Sequence, residues 1–153
     1  MENNNYPTWL VPLDIAKQLK KIGFNEPCLV TYHEVFDEEM IFISFEGDDY
    51  CYYYAELSEC SQRTNSEMGK DILETGKHYS YACSIPTWTD VLAWFRKKNL
   101  VGLVSYRYRD KNNKGFSFEI LDEDTDVFLY NTYEQAQEAL VYKLIEIYKS
   151  EQK

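Results

Sequence analysis

The chain has 153 residues, of which 44% are hydrophobic and 16% aromatic, and it carries a formal net charge of −10 at pH 7. This length and apolar content predict a packed core and exclude an intrinsically disordered protein. The sequence has no apolar run near the ~20 residues that span a bilayer, and the polar start Met1–Asn5 is unlike a signal peptide. We therefore expect a cytoplasmic protein with no membrane partner.

The first predicted elements are a helix and three strands. Apolar residues recur at helical spacing over 13–22, and Gly23 follows as a C-terminal stop. Segments 28–36, 40–45 and 50–54 are rich in β-branched and aromatic residues, which predicts an antiparallel meander. Because 40–45 is apolar on both faces, we expect it at the centre of the sheet.

The middle of the chain gives weaker signals than its ends. Residues 56–80 are poorly predicted and are best described as a polar loop, with a short helix over 68–73. Two later helices are well marked, because Thr87 and Thr132 are each followed three residues later by an acidic or amide side chain. This spacing is typical of a capping box at a helix N-terminus.

A hairpin is predicted between the second and the last helix. Alternation places Tyr106 and Tyr108 on one face of its first strand, which we expect to face the core. The predicted pairs are Tyr108 with Phe116, Tyr106 with Phe118, and Val104 with Ile120. Arg107 and Arg109 then lie on the opposite face, with Glu119 as a partner for Arg107.

A further strand over 127–130 completes the predicted elements. The expected fold class is α+β, with three helices packed on a largely antiparallel sheet of about six strands. We expect a single domain over 1–153, with the poorly predicted loop at 56–80.

Charge is distributed unevenly along the chain. Residues 96–114 contain seven Lys or Arg and one Asp, so this segment carries +6. Arg107, Arg109, Lys111 and Lys114 are therefore candidate phosphate contacts for a nucleic acid. The alternative is a solvated strand face whose charges prevent edge-to-edge pairing of sheets. The acidic remainder of the chain favours a basic protein partner through charge complementarity.

Residues with catalytic or metal-binding chemistry are sparse. The four cysteines, at positions 28, 51, 60 and 83, contain no Cys-x-x-Cys pair, so we expect no metal site. Signatures of nucleotide-binding loops and of hydrolases are absent, and we expect no cofactor and no catalytic residues. A small enzyme with an unrecognised site, such as Cys83 with His78, or one using His33, stays an alternative.

Three segments together carry a resemblance. They are 11–24, then 85–88 with 93–96, and finally 130–136 with 138–139. In this order they resemble a set of small uncharacterised proteins encoded by phages and prophages of Bacteroidales-type gut bacteria. The resemblance implies a mobile-element origin and an intracellular or virion-associated role, and it transfers no activity.

The function that the sequence favours is non-enzymatic. We expect a phage-type accessory protein that binds a host or phage protein, located in the cytoplasm of the bacterial host cell or on the virion. The alternatives are a nucleic-acid binder that uses the basic segment 96–114, and the small enzyme.

Overall fold

The computed structural model describes residues 7–35, 38–43, 64–68, 79–124 and 126–152. Within them the protein is α+β, as the sequence predicts, with four helices and two small antiparallel sheets. The chain divides into two compact units, Met1–Trp88 and Thr89–Lys153, which are described in turn. The single domain predicted for 1–153 stays a prediction. None of the described helices is long and apolar enough to cross a membrane.

Helix α1, Leu13–Lys21, opens the first unit as the sequence predicts. It ends in a Schellman motif, in which the Gly23 amide donates to the Lys20 carbonyl and the Phe24 amide to that of Leu19. Gly23 has φ +89°, a left-handed conformation that glycine adopts without a steric penalty. The motif turns the chain back so that Phe24 is buried.

The first sheet has the strand order β2-β1-β3. Its strands are β1 (Val30–Val35), β2 (Glu38–Ile43) and β3 (Tyr79–Ile85), and both pairings are antiparallel. Strand β1 is therefore paired on both sides, and β2 lies at an edge of the described sheet. The expectation that 40–45 is central stays a prediction, because the predicted neighbouring strand 50–54 lies outside the described residues. Strand β3 was not predicted, and its first two residues fall in the supposed loop 56–80.

A buried asparagine links three segments of the first unit. Helix α2 (65–68) contains Asn65, whose amide group donates to the Phe24 carbonyl at 2.7 Å and accepts from the Ser84 amide at 3.0 Å. These bonds join α2 to Phe24 and to β3. Residues 69–78 fall outside the described residues, so the helix predicted over 68–73 stays a prediction.

Two helices and a hairpin form the second unit. Helix α3 (Trp88–Lys97) follows Thr87 directly, and α4 (Tyr133–Glu151) begins with Thr132, whose hydroxyl accepts from the Gln135 amide at 3.2 Å. The two helices pack through Trp94, Phe95 and Tyr148, whose rings meet edge to face. Both predicted helix starts are confirmed.

The hairpin is formed by β4 (Gly102–Asp110) and β5 (Asn113–Ile120). Its observed pairs are Tyr106 with Phe116, Val104 with Phe118, and Tyr108 with Lys114. The predicted register was therefore wrong by two residues, although residues predicted to share a face do share one. Helix α4 packs against this sheet so closely that a Cβ on Gly102 would clash with the side chain of Leu140.

The predicted six-stranded sheet is not found among the described residues, which form one sheet of three strands and one of two. The strand predicted at 50–54 lies outside the described residues. The strand predicted at 127–130 is reduced to Tyr130, which makes an isolated antiparallel bridge to Phe116.

Candidate functional site

The end of the hairpin presents aromatic and basic side chains together. Tyr106 and Tyr108 are 55% and 62% exposed, so the expectation that they face the core was wrong. They share a face with Lys114, which is exposed opposite Tyr108, and Lys111 is exposed in the connecting turn. We call Tyr106, Tyr108, Lys111 and Lys114 the hairpin tip. It combines flat rings with positive charge.

The predicted arginines are less available than the lysines. Arg107 donates through Nε to the Ser117 hydroxyl at 2.8 Å and through Nη2 to Glu119 at 3.0 Å. The pairing with Glu119 that the sequence suggested is thus confirmed. Arg109 lies in β4, and its side chain is outside the described residues. Of the four predicted site residues, the structure brings Lys111 and Lys114 together with the tyrosines, while Arg107 is neutralised by an acidic neighbour.

A second surface lies beside the other end of the hairpin. Nine large hydrophobic side chains are exposed among the described residues, and eight of them belong to the second unit. Four of these eight lie between β5 and α4, and Leu121 and Phe128 are 65% and 61% exposed. We call the four the apolar loop: Leu121, Val127, Phe128 and Leu129. The sequence analysis missed them, because a run of apolar residues at 127–130 also predicts a buried strand.

The backbone on both sides of the apolar loop is anchored. The Leu121 amide donates to the Val101 carbonyl at 2.8 Å, and Tyr130 exchanges two hydrogen bonds with Phe116, of 2.9 and 2.7 Å. The ring of Tyr130 also stacks on Phe118 at 6.2 Å. The exposed apolar side chains are therefore held outward by ordered backbone.

A groove of about 490 Å³ runs beside the apolar loop. Leu103, Leu121 and Val127 supply apolar surface, and the rim carries the carboxylates of Glu119, Asp122, Glu123 and Asp124. Among the described residues of its lining the only cation is Arg107, which is already paired with Glu119. We call this feature the acidic groove. Its volume is in the range of 300–1,000 Å³ that is typical of ligand pockets.

The first unit contains a cluster of titratable side chains that invites comparison with an active site. Lys17 donates to Glu34 at 3.0 Å, and Lys20 donates to the Ala82 carbonyl and lies 4.4 Å from the centre of the Tyr81 ring. Burial lowers the pKa of Lys20 and raises the pKa of Tyr81 above its usual range.

The cysteine in this cluster is not an activated nucleophile. Cys83 is fully buried, and burial raises the pKa of its thiol to about 11, so the thiol stays protonated at neutral pH. A reactive cysteine instead has a lowered pKa and solvent access. Cys28 is also buried, and Cys51, Cys60 and His78 lie outside the described residues.

The remaining titratable groups do not converge on a catalytic arrangement in the described part of the chain. His33 Nε2 lies 3.0 Å from the Thr31 hydroxyl, within the first sheet. No group of three or more His, Cys, Asp or Glu side chains suited to a metal ion occurs among the described residues. The features that stand out among the described residues are the hairpin tip and the apolar loop with its acidic groove, and both lie in the second unit.

Comparison with known proteins adds no relative: no protein-family model, curated protein or solved structure matches this chain significantly.

Proposed function

We propose that this chain is a non-enzymatic accessory protein of a phage or prophage that binds a host or phage protein in the bacterial cytoplasm or on the virion. The observation that carries the proposal is the apolar loop, with Leu121 and Phe128 more than half exposed on anchored backbone. Contiguous exposed apolar surface with a polar border is typical of protein-interaction sites. Full burial of each such side chain against a partner contributes about 1.5–3 kcal/mol.

Charge indicates the chemistry of the partner. Residues 115–142 contain seven Asp or Glu and no Lys or Arg, and this stretch includes the apolar loop and most of the rim of the acidic groove. A negatively charged surface repels acidic proteins and attracts basic ones. This attraction raises the association rate with a basic partner and contributes to specificity. The proposed partner therefore presents a basic surface with apolar residues in its centre.

The test is capture of a partner by the immobilised full chain from a nuclease-treated lysate of a Bacteroidales-type host. The variant Leu121→Ser/Phe128→Ser removes two apolar side chains from the surface. Trp9→Ser is the matched control, because Trp9 is 54% exposed but belongs to the first unit. We expect one protein to be captured by the wild type and the control and to be lost with the double variant.

Capture should also weaken at least about tenfold between low and high salt, because dissolved ions screen the attraction between the carboxylates and a basic partner. A captured protein that the double variant retains would place the interface elsewhere. Failure of wild type and control to capture any protein would contradict the proposal.

A nucleic-acid function is the second candidate, and one observation favours it. Tyr106 and Tyr108 are exposed beside Lys114, and proteins that bind single strands combine such stacking rings with basic side chains. Loss of a stacked ring costs about 1–3 kcal/mol per base. The net charge of −10 opposes this function, which is why it ranks second.

Titration of a fluorescent single-stranded oligonucleotide tests this candidate. Lys111→Glu/Lys114→Glu is the better charge reversal, since changing Arg107 also breaks its ion pair with Glu119. Binding that is lost in this variant and in Tyr106→Ala/Tyr108→Ala would support the function. Absence of binding by the wild type at low salt would exclude it.

A further inference from the structure

The two surfaces of the second unit are complementary to each other. The hairpin tip is aromatic and basic, with Tyr106 and Tyr108 exposed beside Lys111 and Lys114. The acidic groove is apolar within and carries four carboxylates on its rim. The chain itself therefore contains a segment with the chemistry that the groove is suited to bind.

One molecule cannot make this contact with itself. The lysines of the hairpin tip and three of the rim carboxylates lie towards opposite ends of β5, since Lys114 lies near its start while Glu123 and Asp124 follow its end. A strand rises about 3.3 Å per residue, so the stretch from Lys114 to Ile120 spans about 20 Å. The hairpin is paired along its length, with one bulge between Tyr108 and Asp110 and a two-residue turn, so it cannot fold back on itself.

We propose that, in the free protein, a second copy of this chain occupies the acidic groove. The two hairpins lie antiparallel about a two-fold axis, and the hairpin tip of each copy enters the acidic groove of the other. Such an isologous dimer makes the same contact twice and closes, and two-fold dimers are the commonest oligomers. Lys111 and Lys114 of one copy then face Glu123 and Asp124 of the other.

The edge of β4 also favours association with another chain. Among the described residues β4 pairs only with β5, and no strand among them covers its outer edge. Leu103, Tyr106 and Tyr108 are all more than half exposed along this strand. An open edge with exposed apolar side chains is a template for pairing with another chain.

This inference goes beyond the proposed function, because it concerns the protein before it meets a partner. The second copy occupies the surface that the partner would bind, so dimerisation and partner binding compete. The dimer is tested with purified protein alone. Its failure would therefore leave the partner proposal standing, and failure of the partner proposal would leave the dimer.

The experiment is sedimentation velocity on the full chain and on two charge-reversed variants. Lys111→Glu/Lys114→Glu makes the hairpin tip acidic, and Glu123→Lys/Asp124→Lys makes the groove basic. Asp122 is left unchanged, because its φ of +65° suits Asp better than Lys. Glu146→Lys/Glu151→Lys is the control, since it changes the net charge equally on exposed positions of α4.

We expect the wild type and the control to form dimers whose dissociation constant rises at least about tenfold between low and high salt. Each reversed variant alone should be monomeric, because both of its contacts become repulsive. An equimolar mixture of the two reversed variants should form a heterodimer, since an acidic tip then meets a basic groove and a basic tip meets an acidic groove.

Three results would overturn the proposal. They are a wild type that is monomeric at high concentration and low salt, a dimer that both reversals leave intact, and a mixture of correctly folded variants that does not associate. Circular dichroism of each variant establishes that it is folded. Sedimentation of the wild type with bound nucleic acid instead of a second copy would also contradict the dimer and support the nucleic-acid function.

Discussion

Individual residues of the first unit show how a cluster that resembles an active site can serve the fold. Lys17 is held by Glu34, and Lys20 lies against the ring of Tyr81 while it donates to a main-chain carbonyl. Cys83 lies at the bottom of this cluster with a protonated thiol. Strongly shifted pKa values often mark functional sites, but structural clusters produce them as well. Here burial is the first cause of each shift.

The thiol of Cys83 predicts how stability changes in alkali. Its pKa is about 11 in the folded protein, against about 8.5 in an unfolded chain. Below about pH 8.5 both states keep the proton, so the contribution to stability is complete. As the pH rises towards 11 the unfolded state loses its proton first, and the free energy of unfolding falls.

We therefore expect the wild type to lose about 2 kcal/mol more than Cys83→Ser between about pH 8 and pH 10.5. Urea unfolding at both pH values measures this difference. The matched serine keeps the size of the side chain without an ionisable thiol, so Tyr81 and Lys20 titrate in both proteins. Equal losses in the two proteins would show that Cys83 ionises normally in the folded state.

Sequence reasoning at the residue scale identified which side chains share a face but not which face is covered. The alternation of Tyr106, Tyr108 and Phe116 was correct, yet both tyrosines are exposed. A two-residue period is a property of one strand, whereas burial depends on what packs against the sheet. Helix α4 contacts Gly102 at the other end of β4, and no sequence pattern shows where that contact ends.

Among the structural elements, those with local start signals were the most predictable. The N-terminal cap at Thr132 and the stop at Gly23 could be recognised because their hydrogen bonds join residues close in sequence. Strand β3 was missed because its sequence, Tyr79–Ile85, includes serine and alanine, which have little β preference. It forms because β1 provides a partner more than forty residues away in the chain.

The hairpin register shows a different limit of sequence reasoning. A shift of one residue would move every side chain to the wrong face, whereas a shift of two preserves all faces. Hydrophobic alternation therefore cannot distinguish the predicted pairing of Tyr106 with Phe118 from the observed pairing with Phe116. The turn decides between them. Its tight form, with Asp110 accepting from the Asn112 amide at 2.8 Å, favours the observed register.

The bridge between Tyr130 and Phe116, which anchors the apolar loop, leads to a prediction at the element scale. A Cβ at Gly115 would lie 2.7 Å from the carbonyl oxygen of Tyr130, so Gly115→Ala must displace the bridge between Tyr130 and Phe116. We expect a loss of about 1–3 kcal/mol in the free energy of unfolding, with faster hydrogen exchange at both bridge amides. Urea unfolding and exchange mass spectrometry measure the two effects.

Lys114→Ala is the control for this substitution. Lys114 is the exposed neighbour of Gly115, and removal of its side chain should leave the exchange of the bridge amides unchanged. Slow exchange of those amides in Gly115→Ala would mean that β5 accommodates the methyl group by moving, and that the bridge does not depend on glycine.

At the scale of the whole molecule, the proposed interaction surface contributes little to folding. Leu121 and Phe128 are more exposed than buried, so their removal takes little apolar area out of the core. We expect Leu121→Ser/Phe128→Ser to unfold within about 0.5 kcal/mol of the wild type while it loses partner capture. Thermal or urea unfolding beside the capture assay makes the comparison. A loss of several kcal/mol would assign these residues to the fold instead.

The carboxylates around the apolar loop have a further consequence for the behaviour of the protein in solution. The sequence has a pI of about 4.7, so acidification removes the charge that surrounds Leu121, Val127 and Phe128. Without that charge, the molecules no longer repel one another, and their exposed apolar side chains associate. The protein should be clear and colloidally stable at neutral pH and turn cloudy reversibly near its isoelectric point, which also offers a simple purification step.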